Sequence, residues 1–139
     1  LSREHHQGLL LSWKIRTGLS KGVSTDRIKT YADWFYKTYL IPHFEEEEKH
    51  LFPILGNDHI LVKKAIAQHR RLDRLFKSTS ELKKSLNHIE EELEQHIRFE
   101  ERVLFNEIQK VGTEQQLQFI LEHHNQTKFL ENTTDRFWE

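Results

Sequence analysis

The chain lacks cysteine and methionine, and it contains only two prolines and five glycines among 139 residues. Without cysteine it can form neither disulfides nor the thiolate sites that bind zinc or iron–sulfur clusters. No apolar run approaches the roughly 18 residues that a membrane-spanning helix needs. Because proline and glycine are the usual helix breakers, their scarcity favours long helices. We therefore predict an all-α protein.

An excess of either charge is also absent. Charged residues make up 31% of the chain, and the formal net charge is −1. This balance indicates no nucleic-acid or membrane surface, so we expect neither as a partner. No secretory signal is visible, and we expect a cytoplasmic location. The length suits one domain with one core.

What the chain does contain is ten histidines and one motif written twice, at residues 43–52 and 96–105. The offset is constant, since 96−43 and 100−47 both equal 53. The copies match at His43/His96, Glu47/Glu100, Glu48/Glu101, Lys49/Arg102, Leu51/Leu104 and Phe52/Phe105. Residues i and i+4 share one helix face, so each copy presents an imidazole and a carboxylate together.

A single HxxxE pair is usually part of a solvated helix face, but two copies in matching frames favour a metal site. Two such pairs facing each other can hold two metal ions, with bridging carboxylates and terminal imidazoles. Nitrogen and oxygen ligands suit iron or manganese among several metals.

Capping residues and breakers predict four long helices with short connections. The expected ranges are 2–17, 24–52, 58–77 and 78–110, with Ser2, Ser24 or Thr25, Asp58 and the pair Ser78/Glu81 as caps. Pro42 predicts a local kink just before His43. We predict an up-down-up-down antiparallel four-helix bundle over residues 1–112.

Residues 113–139 predict an additional C-terminal helix. Thr113 with Gln116 opens this segment, which carries apolar residues through to Phe137 and Trp138. We expect this helical extension to pack on the bundle or to form an oligomer contact, in a monomer or a homodimer.

Two further helices offer metal ligands. His69 lies on the apolar face of the third helix, about 16 Å from its start, and His43 lies about 14 Å back from Phe52, so both reach a similar depth. The first helix offers His5 and His6, which point about 100° apart. A stripe of bulky apolar residues favours His6. A longer heptad, which includes Gly8 and Ser12, favours His5 by a small margin.

Three strings of this sequence carry a resemblance to a known family. They are Arg3-Glu4-His5-His6, His43-Phe44-Glu45-Glu46-Glu47-Glu48 and His96-Ile97-Arg98-Phe99-Glu100-Glu101-Arg102. Over roughly residues 1–111 the chain resembles the hemerythrin-like family, also called HHE cation-binding domains. The resemblance implies two non-haem iron ions with bridging carboxylates and an oxo or hydroxo bridge. Manganese or zinc are alternatives.

The chain departs from the oxygen-carrying hemerythrins at two places. Those proteins place a second histidine four residues before the one that matches His69, where this chain has Ala65. Their last acid follows the last histidine by five residues, a spacing that Glu101 has. Glu100 fits the internal repeat and is our preferred ligand, with Glu101 as the alternative. His50, Tyr39, Tyr36 and Glu92 are further candidates for contact with the site, whereas Glu48 is expected to be solvated.

These features favour a protein that binds, senses or reacts with oxygen, peroxide, nitric oxide or iron. Its partners would be the metal ions and a small diatomic or peroxide ligand. The alternative is an enzyme, namely a di-iron oxidase, a ferroxidase or a peroxide scavenger. No substrate pocket is evident in the sequence, so a binding or sensing role is the preferred interpretation.

Overall fold

A computed structural model describes residues 3–124 and 128–139, and the N-cap predicted at Ser2 lies outside them. Within these residues all regular secondary structure is helical, with five helices and no strand. We name them α1 (Arg3–Ser20), α2 (residues 25–54), α3 (Ile60–Lys77), α4 (residues 82–111) and α5 (Glu114–His124). In the described part of the chain, no helix is both long and apolar enough to cross a membrane.

Three π-helical turns interrupt the two longest helices. The first, Tyr36–Leu40, comes directly before Ile41 and Pro42, where the sequence predicts a local distortion. The other two, Glu47–Leu51 in α2 and Glu100–Leu104 in α4, begin at equivalent positions of the repeated motif. The repeat in sequence therefore becomes a repeat in backbone conformation. Such turns are frequent at functional sites.

The helix starts agree with the predicted caps at two places and differ at two others. Ser24 caps α2 by accepting a hydrogen bond from the Arg27 amide, and Thr113 forms the predicted capping box with Gln116. The Asp58 cap is wrong, because the ring of His59 accepts from the Leu61 amide instead.

The capping box predicted at Ser78 and Glu81 is also wrong. Glu81 adopts a left-handed backbone conformation with φ of 49° and makes no capping hydrogen bond through its side chain. Ser78 instead donates to the carbonyl of Ser80 and bonds to the hydroxyl of Ser85. Helix α4 consequently begins at Leu82.

Helix α4 lies against α1, α2 and α3, and α1 also packs against α2. At Gly8, α1 lies close to α4, and an added Cβ would come within 2.7 Å of Ile97 Cδ1, so the Ile97 side chain would have to shift. Gly8 and Ser12 are both buried, as the heptad through His5 predicts. Two apolar clusters fill the interior, one around Leu11, Phe35 and Leu93, the other around Phe52 and Leu104.

The helical extension predicted over residues 113–139 is helical only as far as His124. Residues 128–139 form an irregular segment, which we call the tail, and its Phe137 is 2% exposed. The Phe137 ring lies against Gly18 of α1, and Glu131 accepts hydrogen bonds from Lys14 and Tyr31. Asparagine and aspartate are weak helix formers, and Asn132 accepts from the Thr134 amide in a local turn.

Replacing Phe137 by Ala should therefore destabilise the whole fold. Removing a buried phenylalanine side chain lowers the free energy of unfolding by about 3 kcal/mol, since it leaves a cavity beside Gly18. Urea denaturation measures this change. The matched control is Leu130→Ala in the same tail, at a side chain that is 73% exposed, and it should be nearly neutral. Equal midpoints for the two variants would show that the Phe137 side chain contributes no more stability than the exposed Leu130 side chain.

Candidate metal centre

The interior of the protein holds two groups of histidines and glutamates that can each bind a metal ion. One consists of His5, His43, Glu47 and Glu100, and the other of Glu47, His69, His96 and Glu100. In each group the candidate ligand atoms lie within 4.8 Å of one another, and all members are buried. The two groups share both glutamates. Two neighbouring metal positions therefore have a pair of carboxylates in common.

Each of the four longest helices contributes an imidazole to this cluster. The i, i+4 spacing on α2 brings His43 Nε2 within 3.4 Å of Glu47 Oε1, and the same spacing on α4 brings His96 Nε2 within 2.5 Å of Glu100 Oε1. From α3, His69 Nε2 lies 3.3 Å from Glu47 Oε1 and 3.5 Å from Glu100 Oε1. His69 thus lies at the level of the repeated motif, as its depth in α3 predicts.

Helix α1 places His5 in the cluster and His6 outside it. The His5 side chain is 2% exposed, and its Nε2 lies 3.1 Å from Glu100 Oε2 and 3.8 Å from Glu47 Oε2. Its ring is stacked on Phe105 with an angle of 3° between the planes. His6, the next residue of α1, points about 100° away from His5 and is exposed.

The cluster lies between the two apolar clusters of the interior. Phe44, from the first, stacks on the His69 ring with centroids 3.9 Å apart. Phe52, from the second, lies 5.5 Å from the same ring. This packing excludes water from both sides, which strengthens every electrostatic interaction inside the cluster.

The outer nitrogens of three of the imidazoles each bond to an acceptor of their own. His43 Nδ1 bonds to Glu4, His69 Nδ1 to Glu48 at 2.9 Å, and His96 Nδ1 to the Gln68 side-chain oxygen at 2.6 Å. Glu101 Oε1 lies 3.3 Å from His5 Nδ1. A proton held at Nδ1 by such an acceptor leaves the lone pair of Nε2 available to a metal ion. The Nε2 atoms of His69 and His96 lie 3.2 Å apart, so without a metal ion a proton on one of them can bond to the other.

The two shared glutamates bring negative charge into the interior of the protein. Both are fully buried, and none of their four carboxylate oxygens accepts a hydrogen bond from the described residues. The close contacts of these oxygens are to imidazole nitrogens. The lone pairs of the oxygens and of the nitrogens therefore point into the same small space. Buried carboxylates without donors need a cation, and two first-row metal ions fit this set of four imidazoles and two carboxylates.

In the absence of metal, protons on the histidines would supply the positive charge. Burial works against a charged His5, but Glu100 and Glu47 raise its pKa to about 9. Burial likewise opposes charge on His69, whose pKa Glu100, Glu47 and Glu48 raise to about 10. Against the opposing effects of burial and Glu47, His96 helps to lower the pKa of Glu100 to about 2.

Several residues that the sequence offered lie elsewhere. His50 contacts Phe119 of α5, and the Tyr39 hydroxyl bonds to the backbone of Leu130 in the tail. The Tyr36 hydroxyl bonds to Asp73, and Glu92 pairs with Arg71 rather than His96. Glu48, expected in solvent, instead accepts from His69.

Glu4 and Gln68 were missed by the sequence reasoning. Each acts on a histidine of a different helix, 39 and 28 residues away in the chain. No periodicity within one helix indicates such a contact.

Comparison of the chain with protein-family models, with curated proteins and with solved structures finds no match.

The adjacent histidines of α1 provide a matched pair of variants. His5→Ala should lower the amount of metal that the purified protein retains, because it removes an imidazole from the cluster, whereas His6→Ala alters an exposed position. Elemental analysis of both variants, prepared side by side, measures the difference. Loss of metal in His6→Ala alone would show that α1 is rotated from the orientation described.

Metal affinity should fall as the pH falls from 8 to 6. Metal and protons compete for the same imidazoles, so each proton displaced changes the apparent affinity by about tenfold per pH unit. Competition with a chelator at the two pH values measures the change. A pH-independent affinity would contradict binding through these histidines.

The stability of the metal-free protein should fall as the pH rises, whereas its affinity for metal should rise. The pKa values of His5 and His69 are raised to about 9 and about 10, so their protonated rings stabilise the fold next to the carboxylates. This contribution is fully present below about pH 6.5 and is lost as the pH rises through 9 and 10. The melting temperature of metal-free protein should therefore fall over that range. A constant melting temperature there would contradict the charge arrangement.

Proposed function

We propose that this chain is a binuclear non-haem iron protein of the hemerythrin-like type, which binds, senses or reacts with a small oxidant or diatomic ligand. The observation that carries the proposal is the sharing of Glu47 and Glu100 by both donor groups. A carboxylate that serves two groups is placed to bridge two ions. The four imidazoles then divide into two terminal pairs.

The charge of the surroundings supports two ions rather than one. Glu47 and Glu100 lie at the centre, and Glu4, Glu48 and Glu101 each lie close to an outer imidazole nitrogen. Five carboxylates therefore surround a space lined by neutral imidazole ligands. Two divalent ions balance most of this charge, whereas a single divalent ion leaves a large negative excess in an apolar layer.

Iron is the proposed metal because of the family resemblance of the two HxxxE strings and of His5 and His69. Imidazole and carboxylate ligands suit iron and manganese, and they also accept zinc. The same resemblance supports the up-down-up-down order of α1 to α4, together with the contacts of α4 with the other three helices. A pair of iron ions would supply redox chemistry toward oxygen, peroxide or nitric oxide.

The chain's own residues favour reaction over reversible carriage. Ala65, buried in the second apolar cluster, stands where the oxygen carriers have an additional imidazole. Two imidazoles for each ion leave coordination positions open to exchangeable ligands. We therefore propose a sensor or a reactive centre, with a dedicated oxidase or ferroxidase as the competing function.

Replacing either shared glutamate should remove both metal ions together. Wild-type protein made in iron-replete medium should contain two iron ions per chain, and Glu47→Ala or Glu100→Ala should lose both, because a bridge serves both positions. Glu45→Ala is the matched control, since Glu45 lies in the same run of acids and is exposed. Elemental analysis decides the outcome. One iron or less in the wild type, or an equal loss in Glu45→Ala, would overturn the binuclear proposal.

Alternate exposure of the reduced, iron-loaded protein to air and argon tests the type of reaction. We expect air to convert the optical spectrum to a ferric one that persists under argon until reductant is added. Return of the ferrous spectrum under argon alone would identify an oxygen carrier. Sustained oxygen consumption with excess ferrous iron would instead identify a ferroxidase.

A further inference from the structure

The two halves of the cluster differ in the groups that hold their outer imidazole nitrogens. In the half of His5 and His43, the Glu4 carboxylate bonds to His43 Nδ1 and the Glu101 carboxylate lies 3.3 Å from His5 Nδ1, with side chains 12% and 14% exposed. In the half of His69 and His96, one partner is the Glu48 carboxylate, 39% exposed, and the other is the uncharged amide of Gln68. The repeated motif thus gives matching ligands in unequal surroundings.

This difference changes the strength of the ligands. A carboxylate acceptor at Nδ1 draws the imidazole proton toward itself, so Nε2 becomes a better electron donor than it is beside a neutral amide. The two mostly buried carboxylates also add negative charge close to the first half. Solvent screens the more exposed Glu48 in the second half. Both effects favour a cation in the half of His5 and His43.

Gln68 is the sharpest point of contrast. Its side-chain oxygen lies 2.6 Å from His96 Nδ1, the same relation that Glu4 has to His43. Glutamine and glutamate are nearly isosteric, so an exchange between them changes the charge while it keeps the reach of the side chain. The chain therefore offers a reciprocal pair of substitutions, one in each half.

We propose that the two metal positions are inequivalent, that the position of His5 and His43 fills first, and that Glu4 and Gln68 are the positioning residues that set this order. The inference rests on the proposed binuclear function. It extends that function by giving each ion a distinct affinity, so the centre passes through a state with one ion bound.

The test is a titration of the metal-free full chain with cobalt(II), followed by visible absorption in the presence of a competing chelator. The wild type should bind two ions in two steps that differ by about tenfold or more. Gln68→Glu should tighten the second step by about 10- to 100-fold, and Glu4→Gln should weaken the first step by a similar factor. A gain of affinity in Gln68→Glu cannot arise from damage to the fold.

Two ligand variants assign the steps to positions. His43→Ala should abolish the tight step and leave the weak one, whereas His96→Ala should abolish the weak step and leave the tight one. The reverse assignment would overturn the proposed order. Gln115→Glu and Glu45→Gln are the matched controls, because they make the same charge changes at exposed positions, and they should alter neither step.

Two identical steps in the wild type, or a Gln68→Glu variant that behaves like Gln115→Glu, would overturn the inference while the binuclear site stands. Binding of a single cobalt ion by the wild type, or of none, would overturn the proposed function itself.

Discussion

Burying Glu47 and Glu100 side by side costs several kcal/mol for each ionised carboxylate unless positive charge faces them. Both side chains have no exposed surface, and their oxygens accept no hydrogen bond within the described parts of the chain. Four imidazoles surround the pair, and they can carry either protons or metal ions. The interior of this protein is thus organised around a negative centre that requires cations.

The helices bury that centre and bring its side chains to the same level of the fold. Apolar clusters lie on both sides of it, with Phe44 and Phe52 packed against the His69 ring. Two of the three π-helical turns begin at the shared glutamates themselves, which alters the backbone spacing where the candidate ligands converge. Gly8 of α1 lies against Ile97 of α4, and three residues earlier in α1 the His5 Nε2 lies 3.1 Å from Glu100 Oε2.

The outer acceptors connect this centre to the surface of the protein. Glu4, Glu48 and Gln68 are each only partly buried, and each fixes the orientation of one imidazole. A ring held at Nδ1 keeps its Nε2 aimed at the cluster without help from a metal. The arrangement is therefore preorganised, which lowers the cost of ordering the ligands when a cation binds.

Helical periodicity alone was sufficient to pair His43 with Glu47 and His96 with Glu100, since residues four apart on a helix share a face. The depth of His69 and the four long helices also followed from local rules, as did the Thr113 capping box. The preference for His5 over His6 came from the heptad of α1, and the structure places His5 in the cluster.

Only the tertiary structure decided the contacts that join different elements. Glu4 and Gln68 act across helices, Glu48 turns toward His69 instead of solvent, and the tail packs Phe137 against Gly18. Glu81 takes a left-handed backbone conformation, although its spacing from Ser78 predicts a capping box. These features depend on how far each helix is rotated about its axis and on where chain segments meet, and local periodicity carries no information about either.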